Sequence, residues 1–150
     1  MFKKLNEIEI SGIIKYLDKR FGIDSSVFNK FKFFISGKKI WITPKSLDEN
    51  LVKREESVGL MFMRIEKNER IKLSTNAAQI FGRYATKNVV ELNNQQLYEA
   101  LRGLDITVDE DSTEDGYVLL KYQNDVLGIG QKRGSFVKNM IPKARRIKKF

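Results

Sequence analysis

Gly116-Tyr117-Val118-Leu119-Leu120-Lys121-Tyr122, Gln123-Asn124-Asp125 and Val126-Leu127-Gly128-Ile129-Gly130-Gln131 together decide how this chain folds. Two apolar runs of strand length flank a turn-forming tripeptide, which is the pattern of a β-hairpin. Gly128-Ile129-Gly130 with Gly134 misses the G-x-G-x-x-G spacing of a dinucleotide loop, and Met140-Ile141-Pro142 argues against a helix after it. These glycines read instead as strand positions that allow a bulge or a close backbone approach, to a neighbouring strand or to RNA. No cofactor is expected.

Working outward, Leu104 to Val108 and Ser135 to Lys138 read as further short strands, and Arg145 to Ile147 as a last one. Short strands with regular punctuation predict a small barrel. Before them, Val89 to Leu92 reads as a strand and Asn93 to Arg102 as a helix. Asn93 with Gln96 forms a capping box, and Gly103 ends the helix in a left-handed conformation. Further upstream, Asn6 to Phe21 is an amphipathic helix with Ile10, Ile13, Ile14, Leu17 and Phe21 on one face, Asn6 and Glu9 as capping box and Gly22 as stop. Phe31 to Thr43 predicts a hairpin about Ser36-Gly37-Lys38, and Ser46 to Arg54 a short helix. Val58 to Ile65, apolar at nearly every position, predicts a central strand buried on both faces. A strand near Arg70 to Leu73 and a helix over Thr75 to Tyr84 follow. The expected class is α+β: an N-terminal α/β sandwich-like domain, residues 1–86, packed on a C-terminal β-barrel domain, residues 87–150.

The chain has 150 residues, no Cys and no His. Ser-His-Asp and Cys-His catalysis and zinc sites built from Cys and His are therefore excluded. No run approaches the ~20 apolar residues of a membrane span, and no apolar segment follows Lys3-Lys4, so a cytoplasmic protein without a membrane partner is expected. The net charge is +9, from 28 basic and 19 acidic residues. From Val126 to Phe150 there are eight basic residues (Lys132, Arg133, Lys138, Lys143, Arg145, Arg146, Lys148 and Lys149) and no acid, whereas Asp105 to Asp115 holds six acids and no base. A concentrated positive field suits a polyanion such as RNA. If Arg145 and Arg146 lie on a strand they point to opposite faces, so only one meets the ligand. The acidic run lacks the EF-hand spacing and reads as a solvated loop, with no metal expected.

Three segments resemble a known pattern. One is Lys72-Leu73-Ser74, Ala78-Gln79-Ile80-Phe81-Gly82, Lys87-Asn88-Val89-Val90-Glu91-Leu92 and Leu101-Arg102-Gly103. The second is the central hairpin, and the third Lys138-Asn139-Met140-Ile141-Pro142-Lys143-Ala144-Arg145-Arg146-Ile147. They resemble the PUA domain, the pseudo-barrel RNA-binding module, with a preceding domain. The pattern is similar to the C-terminal RNA-binding region of Sun-family rRNA cytosine methyltransferases and to small two-domain assembly factors of the large ribosomal subunit. The resemblance implies RNA binding without chemistry, because the methyltransferases carry their catalytic Cys on a separate unit. It implies contacts from the first helix, the glycine loop after it and the last strand, here Gln95 to Arg102, Arg102-Gly103-Leu104 and Lys143 to Lys149. The candidate RNA ligands are thus Tyr98, Arg102, Gly103, Lys132, Arg133, Lys138, Lys143, Arg145, Arg146 and Lys148, with no catalytic residue. The partner expected is rRNA or tRNA, with ribosome-assembly or RNA-modifying proteins beside it. The other reading is a protein-interaction module that docks an RNA-modifying enzyme.

Overall fold

The computed structural model describes residues 2–46 and 59–143. The predicted helix over Ser46 to Arg54 falls almost wholly outside them, as do Val58 and the predicted strand over Arg145 to Ile147. The first five strands are β1 (Phe2–Lys4), β2 (Phe31–Ser36), β3 (Lys39–Pro44), β4 (Leu60–Ile65) and β5 (Ile71–Leu73), paired antiparallel in sequence order. The second set is β6 (Val89–Glu91), β7 (Ile106–Thr107), β8 (Gly116–Tyr122), β9 (Asp125–Arg133) and β10 (Phe136–Asn139), in the order β6-β8-β9-β10-β7. Only β6 and β8 run parallel there. The architecture is α+β, with the second sheet curled into a half-barrel.

Helix α1 (Glu7–Phe21) begins as its local chemistry dictates: Asn6 accepts from the Glu9 amide, and Glu9 accepts from the Asn6 amide. Its stripe is buried at Ile13, Leu17 and Phe21, and each such side chain contributes about 1.5–3 kcal/mol on leaving water. Gly22 closes it at φ 61°, where an added Cβ would lie 1.9 Å from Thr86 Oγ1, so glycine is required both for the conformation and for the close approach. An aromatic cluster of Phe28, Phe33, Phe62 and Phe81 fills the space beneath the first sheet.

Strand β4 corrects one expectation. It lies fourth of five and Arg64 is exposed, so it is not buried on both faces. Its unbroken apolar run has another cause. The register shifts between Ile40↔Met63 and Trp41↔Met61, leaving Phe62 as an extra residue, and both Phe62 and Met63 are buried.

The two sheets share a core. Helix α2 (Thr75–Phe81) lies between them, with Ala77 and Ala78 fully buried, and Leu119, Val126 and Ile129 of the second sheet join the larger apolar cluster. A polar knot closes the same junction. Asn88, 7% exposed and at φ 55°, donates to Arg20 O at 2.6 Å and accepts from the Glu114 amide at 2.9 Å. Arg20 Nε donates to Tyr117 O at 2.8 Å, and the Thr86 and Lys87 amides donate to Phe21 O. On its far side the second sheet packs against α3 (Asn94–Leu101), burying Ala100, Ile106, Val118, Leu120 and Val137. Gly130 permits the close strand contact foreseen for it: a Cβ there would lie 2.4 Å from Val137 Cγ1.

Candidate nucleic-acid interface

The predicted ligands fall on two sides of β10. Helix α3 carries the first group. Its capping box forms as expected between Asn93 and Gln96, and Gly103 follows at φ 79°. Tyr98, 38% exposed, and Arg102 stand one turn apart on its surface. Arg102 Nη1 donates to the Tyr98 hydroxyl at 3.0 Å and its guanidinium lies 5.3 Å from the ring centre. This stacking fixes the Arg102 fork while leaving its other N–H groups to solvent. Leu104, 46% exposed, completes the loop.

The second group lies on the opposite face. Val137 points into the core, so Phe136 and Lys138 point outward by strand alternation, and both are exposed. Arg133 pairs with Phe136 across the ladder, and Gln131 with Lys138. Lys143 is exposed where the chain leaves β10. Arg145, Arg146 and Lys148 lie outside the described residues.

Asn139, 6% exposed, joins the two sides. Its Nδ2 donates to Ala100 O at 2.9 Å and Leu104 O at 3.0 Å, its Oδ1 accepts from the Ile141 amide, and its own amide donates to Asp105. The glycine loop and the departing chain are thereby held in one geometry. Asn139 lies within the motif Lys138-Asn139-Met140-Ile141-Pro142, and a polar residue between a strand and Pro142 is the only local signal of this role.

Lys132 is corrected. It alternates inward with Gly130 and Gly128, and its side chain is 1% exposed. Its ammonium donates to Glu110 O at 2.7 Å, Thr113 O at 3.1 Å and Asp115 Oδ1 at 3.3 Å. It pins the acidic loop and is closed to an RNA phosphate. Asp115 also accepts from the Gly134 amide at 3.1 Å. That hydrogen bond, then the Lys132 ammonium, hold the Asp115 carboxyl below its ordinary range. Arg133 therefore sits beside a carboxylate, and its field is partly offset. Lys138, Lys143 and Arg102 are exposed cations without an ion pair among the described residues.

The outer face of the second sheet continues toward the first. Tyr117 pairs with Gln131 and donates its hydroxyl to Glu66; burial, then that carboxylate, push its phenol well above the ordinary tyrosine range. Tyr117 is thus a neutral donor at the junction rather than a free stacking platform.

Residues 87–147 match the family model described as the methyltransferase RsmF PUA domain. Over 143 residues, 95% of this chain, the protein is 27% identical to ribosomal RNA small subunit methyltransferase F of Aeromonas salmonicida. It is 24% identical to the protein of that name in Shewanella piezotolerans and 25% identical to that in Vibrio cholerae. The chain spans 29% of the length of these curated relatives. The resemblance drawn from the sequence is found again in these matches, which take in residues 87–147 by the family model and most of the chain by its relatives.

Proposed function

We propose that this chain is a non-catalytic RNA-binding protein that serves rRNA or tRNA modification, with residues 87–150 as the gripping domain and residues 1–86 as a domain that orients it. One observation carries the reading: the segment that matches the RsmF PUA model, residues 87–147, belongs to a chain of net charge +9 with eight basic residues and no acid from Val126 to Phe150. The relatives are named ribosomal RNA small subunit methyltransferase F, which favours rRNA as the ligand. The absence of Cys and His from the sequence leaves no thiolate nucleophile or imidazole base for chemistry on the base.

The site works by position and charge. Arg102, held over Tyr98, presents a planar fork to a phosphate or a base edge. Lys138 and Lys143 supply point charges, and Arg145, Arg146 and Lys148 extend the field. Fluorescence anisotropy of the full chain with a folded rRNA hairpin, a tRNA and a DNA duplex of equal length tests the reading. Tighter binding to the RNAs is expected, with weaker binding on deletion of 143–150. Equal binding to all three polyanions would sink it and favour the docking of an acidic protein surface.

A further inference from the structure

Three cations stand side by side across the first sheet. Lys39 on β3 is directly opposite Arg64 on β4, and Arg64 is directly opposite Lys72 on β5. Directly opposed residues point to the same face, with Cβ atoms about 4.5–5.5 Å apart, and like charges there are destabilising. Ile40, Met63 and Leu73, their neighbours along the strands, are buried, so the row occupies the outer face. Arg64 is exposed and the other two are half-exposed. Among the described residues none of the three takes part in an ion pair.

Arg64 and Lys72 also line a groove of about 430 Å³ whose far wall is Met140 and Pro142 of the second half. Glu66 is the one carboxylate in that lining, and it is engaged by the Tyr117 hydroxyl. Met140 shares its outward side with Lys138, and Pro142 precedes the exposed Lys143. The row therefore opens onto the strand end from which the basic C-terminal residues depart. Adjacent strands lie about 4.8 Å apart, so the three cations span roughly 10 Å. That is on the order of three nucleotide rises of about 3.4 Å each.

We propose that Lys39, Arg64 and Lys72 form a second RNA contact, a strip that takes successive phosphodiester groups of the RNA held by the PUA domain. This rests on the RNA-binding reading above and assigns a ligand-binding role to the first half. An anionic backbone removes the mutual repulsion of the row, and shape rather than base identity is what such a strip reads.

The test uses the full chain and a folded rRNA hairpin. The triple variant Lys39→Gln/Arg64→Gln/Lys72→Gln is titrated at several salt concentrations beside a charge-matched control, Lys15→Gln/Lys30→Gln/Lys67→Gln. The strip predicts a salt slope lower by about 2, at about 0.7 per contact, in the row variant alone. Its melting temperature should stay the same or rise, because opposed like charges are gone. Unchanged binding in a folded row variant, or an equal loss in the control, overturns the strip while leaving the RNA-binding reading intact. If the unmodified chain shows no salt-dependent RNA binding, the reading itself fails and takes the strip with it.

Discussion

Replacing Lys132 by Met should cost stability and spare RNA binding, the reverse of what its place in a basic run implies. The ammonium is fully enclosed and satisfies two loop carbonyls and one carboxylate. Hydrogen bonds to a charged group contribute about 1.5–3 kcal/mol each. The Asp115 side chain is 64% exposed, so solvent screens its contribution and the two loop carbonyls dominate. The loop carbonyls regain some water once released, and Met preserves the apolar stem. A net loss of about 2–3 kcal/mol remains, which for a domain of this size lowers the melting temperature by about 4–12 °C. Lys138→Gln, on an exposed outward position, should move it by under about 2 °C, since surface changes stay within ~0.5 kcal/mol. Thermal melts followed by circular dichroism read the first effect. Anisotropy at 15 °C, where both variants are folded, reads the second, with the salt slope lower by about 0.7–1 for Lys138→Gln and unaltered for Lys132→Met. An unshifted melt for Lys132→Met, or a loss of RNA affinity matching that of Lys138→Gln, refutes the assignment.

Other outcomes follow from the same geometry. Because the Asp115 carboxyl is held low, its stabilisation is present above the unfolded range near pH 3.9 and is lost as pH falls through the folded value. The stability gap between the protein and Asp115→Asn, measured by urea unfolding, should hold from pH 7 to 5 and narrow below about 4; a gap constant down to pH 3 contradicts this. Gly130→Ala drives a Cβ into the fully buried Val137 and should cost about 1–3 kcal/mol in the same assay. Asn88→Ala removes three side-chain hydrogen bonds and places Ala at φ 55°, for a loss of about 3 kcal/mol, whereas Asn88→Gly should lose about 1 kcal/mol less.

Local chemistry was the legible part of the sequence. Both capping boxes, the Gly22 and Gly103 stops and the central hairpin formed where their residues stand, because each depends on neighbours within a few positions. The PUA pattern was legible for the same reason, being short motifs in fixed order. What escaped depends on contacts across the chain. The charge run could not reveal that Lys132 turns inward, since its partners come from a loop about 20 residues upstream. The row of Lys39, Arg64 and Lys72 requires the register of three strands and the extra residue at Phe62, neither of which is written in local periodicity. Nor did charge counting separate the two sides of β10, on which Arg102 and Lys138 face apart.

The central claim is that the cations of residues 87–150 hold an RNA backbone, and the salt dependence of binding tests it most directly. Log affinity for a folded rRNA hairpin should fall linearly with log salt. Substituting Gln at Lys138, Lys143, Arg145, Arg146 and Lys148 together should reduce the slope by about 3, at roughly 0.7 for each of about four contacts, since one of the two adjacent arginines is expected to face away. A slope near zero for the unmodified chain, or an identical slope in the five-fold variant, would contradict the account.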